Sequence, residues 1–286
     1  MKKLLAILSI ILVLALAACG TGKDEDKGKS ESAKNESDNQ EQVELVIGAS
    51  SEPHAEILEK AKPILAEKGI KIEIEPYQDY VFPNDDLANG TLDANYFQHI
   101  PFLEETKEKT GYDLDYIDGI HVEPLGVYSK DIASLDDIDD NTEVIMSNSV
   151  ADHGRILSLF EENGLITLKD GIDKANATLD DIVENPKKLK FSPDYEPALL
   201  PEFYNSEDHV LVAINTNYAI GAGLSPLNDA LFIEDKDSPY VNVIAVRTED
   251  KENKALKTLV DVLHSKEIQD FILKEYNGAI VPVDGK

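Results

Sequence analysis

Between Asp79 and Phe102 the chain reads DYVFPNDDLANGTLDANYFQHIPF, setting Tyr80, Phe82, Tyr96, Phe97 and Phe102 beside His99, Asn95 and Gln98 in a protein only 7% aromatic. Rings and amides this dense suit a pocket that wraps an apolar group and fixes a polar one. Any single ring can equally be core; the set points to a pocket. A second constellation, SNSVADHGRIL from Ser147 to Leu157, marks a strand-to-helix junction. Asn148 or Ser149 can cap that helix, and the N–H groups beyond it make an anion site. Arg155 follows a turn or two in, where the macrodipole disfavours a cation, so an anionic partner is expected beside it. Two partners suit its planar fork: a ligand carboxylate, or an internal pair with Asp152 or another acid. A third run, VAINTNYAIGAG from Val212 to Gly223, ends an apolar strand on Asn215 and Asn217, whose amides both donate and accept.

Covalent and metal chemistry find little to work with. There is no G-x-S-x-G and no S-x-x-K, and the chain has one cysteine, Cys19. The six histidines, His54, His99, His121, His153, His209 and His264, form no H-x-x-x-H or H-E-x-x-H pair. Asp113, Asp115 and Asp118-Gly119 resemble a calcium loop with its glycine and terminal glutamate out of register, and read as solvated turn residues. The expectation is a binding protein that is not an enzyme, with no cofactor and no metal. A formal charge of -29 opposes phosphate and excludes a nucleic-acid partner; it serves solubility.

The elements that must hold these residues alternate. Val43 to Ile47 is β-rich, Glu56 to Lys68 has helical spacing and ends at Gly69, and Ile70 to Ile74 alternates as a strand does. This is a β-α-β unit of a mostly parallel sheet. Pro63 is expected to kink the helix or start a new one. Leu125 to Tyr128 reads as a strand or crossover, and further strands are expected at Glu143 to Met146, His209 to Ile214 and Tyr240 to Arg247. Helices are expected at Val150 to Glu162, Asn253 to His264 and Lys266 to Tyr276. About 240 residues favour two lobes or one large α/β domain, with connections between sheets near Pro124 and Ser238-Pro239.

The chain opens MKKLLAILSIILVLALAACG: a basic start, an apolar run too short to span a membrane comfortably, and small residues before Cys19. That is a secretory signal, and Leu16-Ala17-Ala18-Cys19 resembles the lipobox of bacterial lipoproteins. The resemblance implies a signal peptide at 1–18 and an acylated Cys19 that anchors the protein to the outer face of a membrane. Residues 20–42 lack aromatic and β-branched hydrophobic residues and read as a tether reaching roughly 25 Å.

Taken with SEPHAEIL from Ser51, EPLGVYSK from Glu123, GLITLKDG from Gly164, NPKKLKF from Asn185, INTNYA from Ile214, EDKDSPYVNVIAVR from Glu234 and NGAIVPV near the end, the chain resembles the methionine-binding lipoproteins of the NlpA family, substrate-binding components of methionine ABC importers. DANYFQH is the most specific of these motifs. The resemblance implies a two-lobed type II periplasmic-binding-protein fold of α/β class. Lobe 1 would be 43–124 plus 240–286, lobe 2 would be 125–239, and the ligand would sit between them. It places the aromatic wall on Tyr80, Phe97, His99 and Phe102, the carboxylate anchor on Arg155 and an amide on Asn215. Two positions depart from the family's pattern: Phe102 stands where tyrosine is common, and Asp152 where asparagine is. Asp152 is expected to face the ligand amino group or brace Arg155. The implied ligand is L-methionine, with a methionine-containing dipeptide or another small apolar amino acid as the alternative. The implied partners are an ABC permease and its ATPase, and the implied state is a monomer.

Overall fold

The computed structural model describes residues 42–236 and 238–284; the expected signal peptide, Cys19 and nearly all of the expected tether lie outside the described residues. The chain runs through β1 (Val43–Ser50), α1 (Glu56–Glu67), β2 (Ile70–Tyr77), α2 (Phe82–Ala88), β3 (Ala94–His99), α3 (Ile100–Thr110) and β4 (Leu114–Val122). It continues with β5 (Gly126–Tyr128), β6 (Glu143–Ser147), α4 (Val150–Glu162), the short pair β7 (Thr167–Leu168) and β8 (Ile182–Glu184), β9 (Lys190–Tyr195) and α5 (Leu200–Ser206). Next come β10 (Val210–Ile214), α6 (Thr216–Gly221), α7 (Pro226–Asp229) and β11 (Phe232–Ile233). It returns with β12 (Val241–Arg247), α8 (Lys254–Leu263), α9 (Lys266–Glu275) and β13 (Val281–Pro282).

These strands form two principal sheets, one ordered β13-β4-β12-β3-β1-β2 and the other β11-β5-β10-β6-β9. Each is mixed. β1 pairs parallel with β2 and β3, while β12 lies antiparallel to β3 and β4. In the second sheet β6 pairs parallel with β10 and β9, and β5 runs antiparallel to β10. The chain passes between sheets twice, over 123–125 and over 234–240. The result is an α/β protein of two lobes.

Burial explains the strand patterns. β1 is covered on both faces: Leu45, Ile47 and Ala49 pack under α1, α8 and α9, while Val46 meets the cluster of Leu87, Leu92 and Leu103 from the α2–α3 side. β2 is an edge strand covered on one face, so Ile70 and Ile72 are buried while Lys71 and Glu73 are not. In the second sheet α4 covers one face through Ile156, Leu157, Leu159 and Phe160. α5 and α6 cover the other through Leu200 and Ala219. Each fully buried Leu, Ile or Phe among these contributes about 1.5–3 kcal/mol.

Two expectations can be set against the structure. Pro63 does not start a new helix but lies inside α1. Pro63 and Glu59 are both exposed, so water reaches the turn whose carbonyl lost its donor. Asp115, Asp118 and Gly119 are strand residues in β4, not turn residues. Asp115 takes the Lys251 ammonium at 2.7 Å, and a Cβ at Gly119 would stand 2.4 Å from Val241 Cγ1, so glycine lets β12 pack close. Of the acids that suggested a calcium loop, Asp113 precedes β4 while Asp115 and Asp118 lie along it.

Candidate functional site

β3 positions the aromatic wall. Phe97 and His99 alternate along it, and His99 is also the N-cap of α3, its Nδ1 accepting the Phe102 N–H at 3.2 Å. That bond brings Phe102, in the first turn of α3, over the wall. Tyr80 enters from the bend before α2, with ring centroids 5.8 Å from Phe97 and 5.8 Å from Phe102; Phe97 and Phe102 are 5.9 Å apart. These spacings are those of tilted and edge-on aromatic contacts. From the other lobe, α6 closes the wall: the Tyr80 hydroxyl donates to Asn217 Oδ1 at 2.5 Å, and Tyr218 lies 5.0 Å from Tyr80.

The polar end comes from α4 and the end of β10. Asp152 is 1% exposed, and both its oxygens are engaged. Oδ1 accepts from His99 Nε2 at 3.1 Å and lies 3.6 Å from Arg155 Nη1; Oδ2 accepts from Asn215 Nδ2 at 3.1 Å. Because Phe102 N–H occupies Nδ1 of His99, the ring proton sits on Nε2 and points at Asp152. Burial works against the Asp152 charge, but the bond from His99, the Arg155 guanidinium and the Asn215 amide outweigh it and hold the carboxyl at about 2.

Arg155 is the hub. Its Nη2 donates to the Glu123 carbonyl at 3.0 Å and to the Glu234 carboxylate, and its guanidinium lies 4.3 Å from the Tyr240 ring centroid. Glu123 and Glu234–Tyr240 belong to the two passages between sheets, so one side chain of α4 grips both. Among the described residues, Arg155 Nε and Asn215 Oδ1 are buried polar atoms with no hydrogen-bond partner.

Tyr80, Phe97, His99, Phe102, Asp152, Arg155 and Asn215, the residues singled out in the sequence, therefore line one cavity. The lining side chains stand close together and leave a cavity of about 20 Å³, room for about one water molecule. Gln98, Glu123, Thr216, Asn217 and Asn242 complete the lining.

Three details differ from the sequence reading. Asn95 does not line the cavity; it joins Asn84 and Gln98 in a buried amide cluster, donating to Asn84 Oδ1 at 2.9 Å and to the Pro83 carbonyl at 3.0 Å. Tyr96, one residue out of phase with Phe97, is core. The start of α4 is not capped by Asn148 or Ser149: Asn148 donates to Glu196, and Glu105 from α3 accepts the Ala151 N–H at 3.0 Å.

Glu123 and Asn242 were missed. Glu123 is an acid inside the apolar run IHVEPLGV, which is the signal that could have found it. Its Oε1 lies 2.8 Å from His121 Nε2 and 3.2 Å from His54 Nε2, and His54 Nε2 also reaches Asn242 Oδ1 at 3.2 Å. By residue type His54, His121 and Glu123 suit a metal ion, but these spacings are those of direct hydrogen bonds. Burial lowers the His54 pKa to about 4 and that of His121 to about 3, so both rings are neutral at pH 7. Burial also pushes the Glu123 carboxyl up, against the pull of His54 and Arg155.

Residues 45–284 match the family described as NlpA lipoprotein. The chain is 46% identical over 242 residues to the methionine-binding lipoprotein MetQ of Bacillus subtilis, covering 84% of this chain and 88% of that one. Among solved structures it is similar to a pheromone cOB1 precursor/lipoprotein of Enterococcus faecalis, with 50% identity, a TM-score of 0.82 and coverage of 84% of this chain and 100% of that one. It is also similar to a nutrient-binding protein of Burkholderia cenocepacia bound to methionine, with 37% identity, a TM-score of 0.79 and coverage of 83% and 99%.

Proposed function

This chain belongs to the NlpA lipoprotein family, and from that membership and the cavity between its lobes we infer that it is a membrane-anchored lipoprotein that binds methionine as the substrate-binding component of an ABC importer. Its role is binding, not catalysis. Acylation at Cys19, exposure on the extracytoplasmic face and delivery to a permease with its ATPase complete the proposal.

The observation that carries the reading is the pair of unpartnered buried atoms in the cavity wall, the Arg155 Nε donor and the Asn215 Oδ1 acceptor. A buried polar group without a partner costs about 1–3 kcal/mol. A zwitterion supplies both missing partners, its carboxylate to Arg155 and its ammonium to Asn215. Glu123 adds counter-charge for the ammonium, since Asp152 is engaged by His99 and Asn215 and braces Arg155. Tyr80, Phe97 and Phe102 then take the thioether chain, where sulfur-to-ring contact is worth roughly 0.3–1.5 kcal/mol.

Delivery follows from closure. With Tyr80, Phe97 and Asn242 lining the cavity from one lobe and Asp152, Arg155 and Asn215 from the other, a ligand touching both lobes favours the closed arrangement by its differential affinity. The test is calorimetry on protein unfolded and refolded to strip carried ligand. Saturable binding of L-methionine at one site, abolished in Arg155→Ala, is expected. Heat with a methionyl dipeptide or another apolar amino acid, and none with methionine, would move the substrate while keeping the cavity.

A further inference from the structure

We propose that Tyr96, His121 and His54, none of which lines the cavity, are positioning residues that set the Glu123 carboxylate and the Asn242 amide toward the ligand. The proposal rests on the methionine reading above and adds to it the source of the site's polar geometry.

The three side chains come from three places in the first sheet's lobe. Tyr96 is on β3, His121 near the end of β4, and His54 in the turn after β1. Their rings form one buried cluster: His54 and Tyr96 are 4.6 Å apart at 89°, Tyr96 and His121 5.4 Å at 76°, and His54 and His121 5.2 Å at 45°. All three are 1% exposed or less.

The donors and acceptors in this cluster admit one consistent assignment. The Tyr96 hydroxyl meets His121 Nδ1, and His121 Nε2 meets the carboxylate oxygen of Glu123. A carboxylate accepts, so Nε2 carries the proton and Nδ1 takes the hydroxyl proton of Tyr96. His54 Nε2 faces two oxygens, Glu123 Oε1 and Asn242 Oδ1. It too must be the protonated nitrogen. His54 therefore fixes which way the Asn242 amide points: its oxygen is committed to the ring, and its NH2 is what Asn242 has left to offer.

Glu123 lies in the first passage between the sheets and Asn242 directly after the second, so His54 ties together the two strands on which the lobes hinge. The cluster orients one acceptor and one donor for a zwitterion without touching it. Buried second-layer bonds of this kind decide whether a site is held in its productive geometry.

The test compares two probes by calorimetry: L-methionine, and 4-(methylsulfanyl)butanoate, which keeps the thioether chain and carboxylate but has no ammonium. The proteins are wild type, Tyr96→Phe, His54→Ala and His54→Gln, each with its metal content measured. Tyr96→Phe keeps the ring and changes no cavity wall, yet methionine should bind about fivefold more weakly, the effect of one buried hydrogen bond. His54→Ala should lose about tenfold or more, and His54→Gln, whose amide N–H reaches where Nε2 does, should recover most of it. The butanoate, which has no ammonium for Glu123 but keeps a carboxylate for Asn242, should weaken much less than methionine in Tyr96→Phe and somewhat less in His54→Ala. Unchanged methionine affinity in Tyr96→Phe and His54→Ala would overturn the proposal. So would equal weakening of both probes with no rescue by glutamine, since that is general loosening of the core. Stoichiometric metal in the wild type, lost in His54→Ala, would overturn it in favour of a metal site. If wild type binds no methionine, the functional reading falls and this proposal with it; if only the variants fail to differ, the functional reading stands.

Discussion

Glu105, in α3 of the first lobe, accepts the Ala151 backbone N–H at the start of α4 in the second lobe, at 3.0 Å. The anion drawn to that helix N-terminus is thus a protein carboxylate from across the cleft, and Lys109, one turn along α3, pairs with the same side chain. A carboxylate at a helix N-terminus is worth about 0.3–1 kcal/mol, rising to about 2 in partly buried geometry. The bond joins the lobes, so it adds to the free energy of closure.

Glu105→Ala should accordingly weaken methionine binding by about two- to fivefold, with the loss mostly in the dissociation rate. Stopped-flow release of ligand checks this. An unchanged release rate would mean that the contact does not contribute to the closed state.

Asp152 offers a sharper comparison. Its carboxylate takes His99 on one oxygen and Asn215 on the other, with Arg155 at 3.6 Å. Asp152→Asn keeps the shape and an acceptor for His99, and should retain binding within about tenfold; Asp152→Ala leaves three polar groups unsupported and should cost more. Calorimetry on the pair decides it. Complete loss of binding in Asp152→Asn would assign the ligand ammonium to Asp152 and not to Glu123.

Away from the cleft, Phe160 is fully buried on α4, edge-on to Phe191 at 5.2 Å and Phe232 at 5.3 Å. Phe160→Ala should destabilise the fold by about 3–5 kcal/mol. Methionine affinity of the folded fraction should stay near wild type, because no cavity-lining residue loses a partner. Urea denaturation with and without ligand separates the two effects.

How much of this was legible in the sequence depended on range. The aromatic wall could be read because Tyr80, Phe97, His99 and Phe102 lie close together in the chain, the last three gathered by β3 and the helix that His99 caps and Tyr80 by the bend before α2. Arg155 could be read because its position near a helix start is locally unfavourable. Its neighbour Asp152, three residues away and 3.6 Å from Nη1, could be read too; its hydrogen-bond partners could not, because Glu123 is brought by one passage between the sheets and Glu234 by the other. The cap of α4 failed for the same reason, since a distant carboxylate outcompeted the local Asn148 and Ser149. The turn expected around Asp113 to Gly119 failed because its partners are distant in the chain: Lys251 holds Asp115, and Val241 packs against Gly119. Short-range patterns were readable in the residues themselves. Pairings made by sheet topology were not.

The buried histidines make stability depend on pH with a sign that can be worked out. His54 and His121 titrate near their ordinary value of 6.5 when unfolded, but at about 4 and about 3 when folded, because burial penalises the charged ring. Below pH 6.5 the unfolded chain therefore takes up protons that the folded protein refuses, and stability falls as pH drops from 6.5 towards 4. The groups facing the two rings are Tyr96, Glu123 and each other, with Asn242 beside His54. Glu123 acts in the opposite sense: its carboxyl is pushed up by burial, so the folded state binds that proton more readily and the decline is softened. Asp152, held at about 2, contributes only below about pH 4, where its stabilising charge is lost. The melting temperature should thus fall between pH 6.5 and 4. His121→Gln, which removes one of the two titrating rings, should flatten that slope whatever it does to stability at pH 7. An unchanged slope in this variant would mean that other groups control the acid sensitivity. Melting curves of both proteins across that pH range decide between the two outcomes.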